Sequence, residues 1–170
     1  MIKKILWSLL FILAAAILQS TLLRYAAIFD AIPDFTLIIL VFIAYGNGAM
    51  PGQVTGFLSG LMMDFLSSAP LGFNAFYRTL IGGLVGMMKG NFYLNNFLLP
   101  MTLCAGATLI KGASRLLLHL LLPRYVPAFD FTLPIFWVEL GLNIILAPFI
   151  FSFLELFKSL LLGKGKKDVI

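Results

Sequence analysis

Acids and bases set inside apolar segments are the residues of this chain whose types and spacing could do chemistry. Asp64 ends a run of glycines, Gly52, Gly56 and Gly60, at four-residue spacing, and Arg78 opens a second run through Gly82, Gly86 and Gly90. Lys111, Arg115 and His119 repeat that spacing, and Glu139 with Asn143 repeats it again. In a helix each set falls on one face. A charge held in hydrocarbon is costly, so each of these residues calls for a partner or a water-filled cavity. At about 1.5 Å of rise per residue the depths of Asp64 and Arg78 differ by under ~10 Å, a gap that a long arginine side chain partly spans. An Asp64–Arg78 ion pair across a hairpin is therefore expected. Arg115 and Glu139 each lie about 10 Å below the outer boundary, with Lys111 deeper. Asp64, Arg78, Arg115, His119, Glu139 and Asn143 together make an outward-side polar cluster. It reads either as a cavity for a headgroup, a small solute or a partner segment, or as a set of interhelical ion pairs that fixes the packing.

Catalytic constellations are scarce. Cys104 is the single cysteine, which excludes a disulfide or a cysteine metal cluster within one chain and leaves a small packing residue. His119 is the single histidine, and no GxSxG, HExxH or phosphate-binding glycine loop is present. Only His119 with Glu139 approaches a base beside an acid, so an enzyme is not expected, and neither is a cofactor or a metal.

The elements that must position these residues follow from composition. With 61% hydrophobic and 11% charged residues and a mean hydropathy of +1.04, the chain has too little polar surface to coat a soluble domain. Its apolar runs are long and lack two-residue alternation, which argues for helices over a barrel. The expected fold is all-α: one integral membrane domain over residues 1–170, with six helices at about 5–23, 35–49, 52–66, 71–88, 97–122 and 133–157. The breaks are Gly46-Asn47-Gly48 with Pro51, and Ser67-Ser68-Ala69-Pro70. Glycine at four-residue intervals lets two backbones approach closely in lipid, so Gly52, Gly56, Gly60, Gly82 and Gly86 mark packing faces.

Charge placement tests the count. Lys3 and Lys4 precede the first span and Lys158, Lys164, Lys166 and Lys167 follow or end the last, which predicts both termini in the cytoplasm and an even number of spans. With six, Lys89 falls in an inner loop, while Arg24 and Arg124 lie outside beside Asp30, Asp34 or Asp130. Four spans, with 35–66 as one re-entrant unit, is the alternative. Residues 158–170 read as a basic cytoplasmic tail, a topology anchor or a contact for anionic lipid. The N-terminus mimics a signal peptide, yet its apolar run continues past Ala14-Ala15-Ala16, so a retained helix is expected. Phe129, Phe131, Phe136 and Trp137 read as an interfacial aromatic belt or a docking surface.

Pro33-Asp34 before the second span, the run from Gly56 through Gly60 to Asp64, and Pro70-Leu71-Gly72 resemble the pattern of the MreD family of rod-shape-determining membrane proteins. The resemblance covers nearly the whole chain, carried after Gly90 by hydropathy alone. It implies a non-enzymatic inner-membrane scaffold of the bacterial elongation machinery that binds the bitopic protein MreC. It also implies work alongside MreB, a RodA-type glycosyltransferase and a class-B transpeptidase, with membrane lipid as surroundings and no nucleic acid. It further implies a bundle similar to the S components of energy-coupling-factor transporters. A vitamin- or metal-binding S component is thus the rival reading. Such proteins resemble one another in an Ala-x-x-x-Ala spacing on the first helix, for which the nearest match here is Ala16 to Ser20.

Overall fold

A helix that is apolar on every side must be enclosed by others, and that requirement organises this molecule. The computed structural model describes residues 2–21, 31–67, 70–90, 95, 97–124, 126 and 131–162. These form α1 (Ile2–Thr21), α2 (Phe35–Asn47), α3 (Ala49–Leu66), α4 (Phe73–Met87), α5 (Leu98–Leu121), α6 (Pro134–Glu155) and a single turn, α7 (Lys158–Leu161). Helix α2 is buried continuously from Thr36 to Tyr45 and packs against α1, α3, α4, α5 and α6. Its 13 residues span roughly 20 Å, short of the ~30 Å hydrocarbon layer. It is the core of the bundle and has no lipid-facing side.

Three helices, α1, α5 and α6, are long and apolar enough to cross a membrane, and α2 is a shorter apolar helix. Helices α1 to α6 lie near the six expected positions, and α7 adds a turn in the expected tail. Their ends differ where single glycines do the work of longer turns. Gly48, at φ +100°, separates α2 from α3 by itself, so α3 starts at Ala49 and takes Pro51 into its first turn. A proline there removes an N–H that would have no intrahelical partner. Gly72, at φ +90°, ends the next turn, and α4 starts at Phe73.

Helices α3 and α4 are the most closely associated pair, and the glycine runs are the reason. A Cβ on Gly52 would strike the Gly82 carbonyl, one on Gly56 the Arg78 carbonyl, one on Gly60 the backbone of Ala75, and one on Gly86 the backbone of Gly48 and Ala49. The contact positions step by about four residues in opposite directions along the two helices, as an antiparallel hairpin requires. Gly90 does not extend this face; it lies beyond the helix at φ +77° with open space around it.

The start of the expected tail also belongs to the bundle. Leu161 is fully buried, Leu162 covers Gly46, and the Asn47 side-chain amide donates to the Leu161 carbonyl at 3.2 Å. Arg24, Asp30, Phe129, Asp130 and residues 163–170, on which part of the topology reading rests, lie outside the described residues.

Candidate functional site

Pro33-Asp34 brings the chain to the amino end of α2, where four helices converge. Asp34 is the cap of α2: its Oδ1 accepts from the Leu37 N–H at 3.0 Å and from the Thr36 hydroxyl at 2.7 Å. Aspartate is favoured there because it satisfies an orphan donor and meets the positive end of the helix dipole. Two cations join it. Arg78 Nη2, from α4, lies 3.3 Å from Oδ1 and donates to Thr36 Oγ1 at 2.7 Å. Lys111 Nζ, from α5, donates to Oδ2 at 2.7 Å and also to Glu139 Oε1 of α6 at 2.5 Å. Asn143, one turn after Glu139, accepts from the Asp34 backbone N–H at 2.8 Å and donates to Thr108 Oγ1 at 3.1 Å.

Two carboxylates thus meet two cations, and the formal charges cancel. The Arg78 and Asp34 side chains are 1% and 6% exposed, and those of Lys111 and Glu139 are 13% and 15% exposed, so the pairs are shielded from water and held by hydrogen bonds as well as by charge. Arg78 Nε and Nη1 have no hydrogen-bond partner among the described groups; its guanidinium carbon lies 5.7 Å from the centroid of the Tyr77 ring.

This network corrects the expected one. Arg78 does not pair with Asp64. Asp64 instead accepts from the backbone N–H groups of Gly72 (2.9 Å), Asn74 (2.8 Å) and Ala75 (3.3 Å), and from the Asn74 side chain at 2.9 Å. These are donors at the start of α4 with no intrahelical acceptor, so Asp64 reaches from the end of α3 to cap the following helix. The turn after Pro70 puts this carboxylate against the nearest unsatisfied donors, which outcompete a cation two turns further along.

The outward-side cluster therefore divides. Arg78, Glu139 and Asn143 meet around Asp34, while Asp64 caps α4. Arg115 places its guanidinium carbon 5.9 Å from the centroid of Phe73, and His119 Nδ1 donates to the Val126 carbonyl at 2.8 Å, so a His119–Glu139 acid–base couple does not form. Lys111, expected deeper than this group, is the bridge. By helical rise it sits about 15 Å below the end of α5, and Glu139 about 8 Å below the start of α6; the lysine stem makes up the difference. Asp34 is one of the positions that carry the family resemblance, and the sequence signal for its role is an aspartate directly preceding an apolar helix.

The aromatic group divides too. Phe136 is buried and lies against Gly112 of α5, with Phe131 edge-on at 5.1 Å. Trp137 remains exposed, its indole N–H donating to the Phe131 carbonyl at 2.8 Å. Cys104 is buried, as a packing residue should be.

Charged side chains turned inward onto one another, within a bundle whose α1, α5 and α6 suit a bilayer, define a polytopic helical membrane protein. Among the described residues no group of three potential metal ligands occurs. The family described as rod shape-determining protein MreD matches residues 1–157, and the chain belongs to that family. It is thus an inner-membrane protein of the rod-shape machinery, from a family of shape-determining structural proteins. No curated protein and no solved structure matches the chain.

Proposed function

We propose that the protein is a non-enzymatic scaffold of the bacterial elongation machinery, binding a single-span MreC-like partner and so supporting cell shape and lateral peptidoglycan synthesis. MreB, a RodA-type glycosyltransferase and a class-B transpeptidase are reached through that partner or beside it. The observation that carries this reading is the internal closure of the buried charges. Asp34, Arg78, Lys111 and Glu139 are used on one another, which supports a role in holding four helices in one arrangement. Outward faces such as Ile145, Phe149 and Phe153 of α6 are apolar and exposed, as a surface for lipid or a partner helix must be.

Depletion of the protein is expected to round rod-shaped cells, and the tagged protein is expected to copurify with a single-span MreC-like protein. Replacing Asp34 by Asn should reduce both the copurified partner and the rod phenotype. Normal cell shape on depletion, together with lost uptake of one vitamin or metal, would overturn the scaffold reading in favour of a solute-binding S component.

A further inference from the structure

A cavity of about 240 Å³ opens between α1, α2 and α3 at the end of the bundle opposite the Asp34 network. Lys4 and Ser8 of α1, Asn47 at the end of α2, and Pro51 and Thr55 of α3 are among its walls. Ser8 and Thr55 are each only 1% exposed, and neither hydroxyl has a hydrogen-bond partner among the described residues. An unpaired buried hydroxyl carries a desolvation penalty, and two of them facing one cavity call for an occupant that accepts hydrogen bonds. The volume is far above the ~10–15 Å³ that one water needs. Lys4 adds a cation, and among the described residues no carboxylate lines the space.

We propose that this cavity binds the phosphate of an anionic phospholipid headgroup. The Ser8 and Thr55 hydroxyls donate to phosphate oxygens, and the Lys4 ammonium supplies the charge. A lipid is the source that fits the walls. Helix α1 turns Ser8 inward while Leu6, Leu10, Leu13 and Ile17 are exposed along its outer side, so acyl chains can lie against the helix whose first turns hold the headgroup. The level also fits, because Lys4, Asn47 and Pro51 all lie at helix ends, where headgroups sit and where basic residues attract anionic lipid.

The test uses the full chain purified in detergent, with phosphatidylglycerol, phosphatidylcholine and inorganic phosphate as probes. Retained lipid is read by native mass spectrometry and the unfolding midpoint by a thermal melt. Phosphatidylglycerol should be retained in preference to phosphatidylcholine and should raise the midpoint. Ser8→Ala with Thr55→Val should weaken that retention by about tenfold or more, the loss expected from at least one charge-assisted hydrogen bond. The lipid-free midpoint should stay the same or rise, since both orphan hydroxyls are gone. Lys4→Gln, at a half-exposed position that does not threaten folding, should abolish the preference for phosphatidylglycerol. Equal retention by the wild type and both variants would mean that only water fills the cavity and would overturn the proposal. So would inorganic phosphate raising the midpoint as much as phosphatidylglycerol does.

Discussion

Asp34 accepts hydrogen bonds from α2, α4 and α5 at once, so changes around it act on charge balance before they act on packing. Lys111→Met keeps most of the side-chain volume and leaves Asp34 and Glu139 with only Arg78 to offset them. Removing one member of a buried ionic group in this way costs ~3–5 kcal/mol. Glu139→Gln leaves one cation in excess. The double variant returns to a neutral Asp34–Arg78 pair, so its loss should fall short of the sum of the single losses by about 1–3 kcal/mol. Unfolding measured in mixed micelles for the four members of this cycle checks it, and additive losses would rule out a direct Lys111–Glu139 contact. The sequence exposed which residues were costly to bury but not their partners. Depth counting set Asp64 beside Arg78 and Arg115 level with Glu139, whereas Glu139 meets Lys111 and Asp64 caps α4, because the backbone donors of a helix end have no signature among the charged residues. Lys111 counts as deeper by its Cα, a measure that ignores the reach of its stem.

At the scale of elements, the α3–α4 hairpin is held by contacts that only glycine permits. Gly56→Ala should cost ~1–3 kcal/mol, the usual range for overpacking, because its Cβ would meet the Arg78 backbone rather than a movable side chain. Gly106 of α5 is the control. A Cβ there has open space around it, so Gly106→Ala should be neutral or stabilise by up to ~1 kcal/mol through helix propensity. Thermal unfolding of the two variants side by side checks the contrast, and equal effects would remove the case for backbone contact. This hairpin was the most legible part of the fold, since four-residue glycine spacing reports a helix face directly. The central place of α2 was less so. Its apolar run reads as a weak span by length, whereas its burial depends on five neighbouring helices that no local pattern names. Turn lengths were misjudged because a single glycine at positive φ, as at Gly48, replaces a longer loop.

Across the whole molecule the paired acids and bases lie at one end and most of the described lysines at the other, and that separation predicts a topology with a measurable consequence. Where α2 begins, acids and bases are paired. Where α2 ends, cations outnumber acids among the described residues, with Glu155 at the end of α6: Lys89 Nζ donates to the Gly46 carbonyl at 2.5 Å, Lys4 lines the cavity beside Asn47, and Lys158 lies near Gly46 across a small gap also walled by Leu162. A lysine at a helix carboxyl end complements the dipole, and an excess of such lysines marks the cytoplasmic side. Hydropathy alone, which registers only α1, α5 and α6 as long apolar helices, would give an odd number of crossings and put the two termini on opposite sides. The gathering of Lys4, Lys89 and Lys158 at one end is the pattern expected when the first and last helices start and finish on the same side, and it predicts an even number. Reporters that are active only in the cytoplasm, fused separately before Met1 and after Ile170, should therefore both be active, and periplasm-specific reporters at the same points should both be silent. A periplasmic signal at one end alone would overturn the even number of crossings, and periplasmic signals at both ends would overturn the orientation.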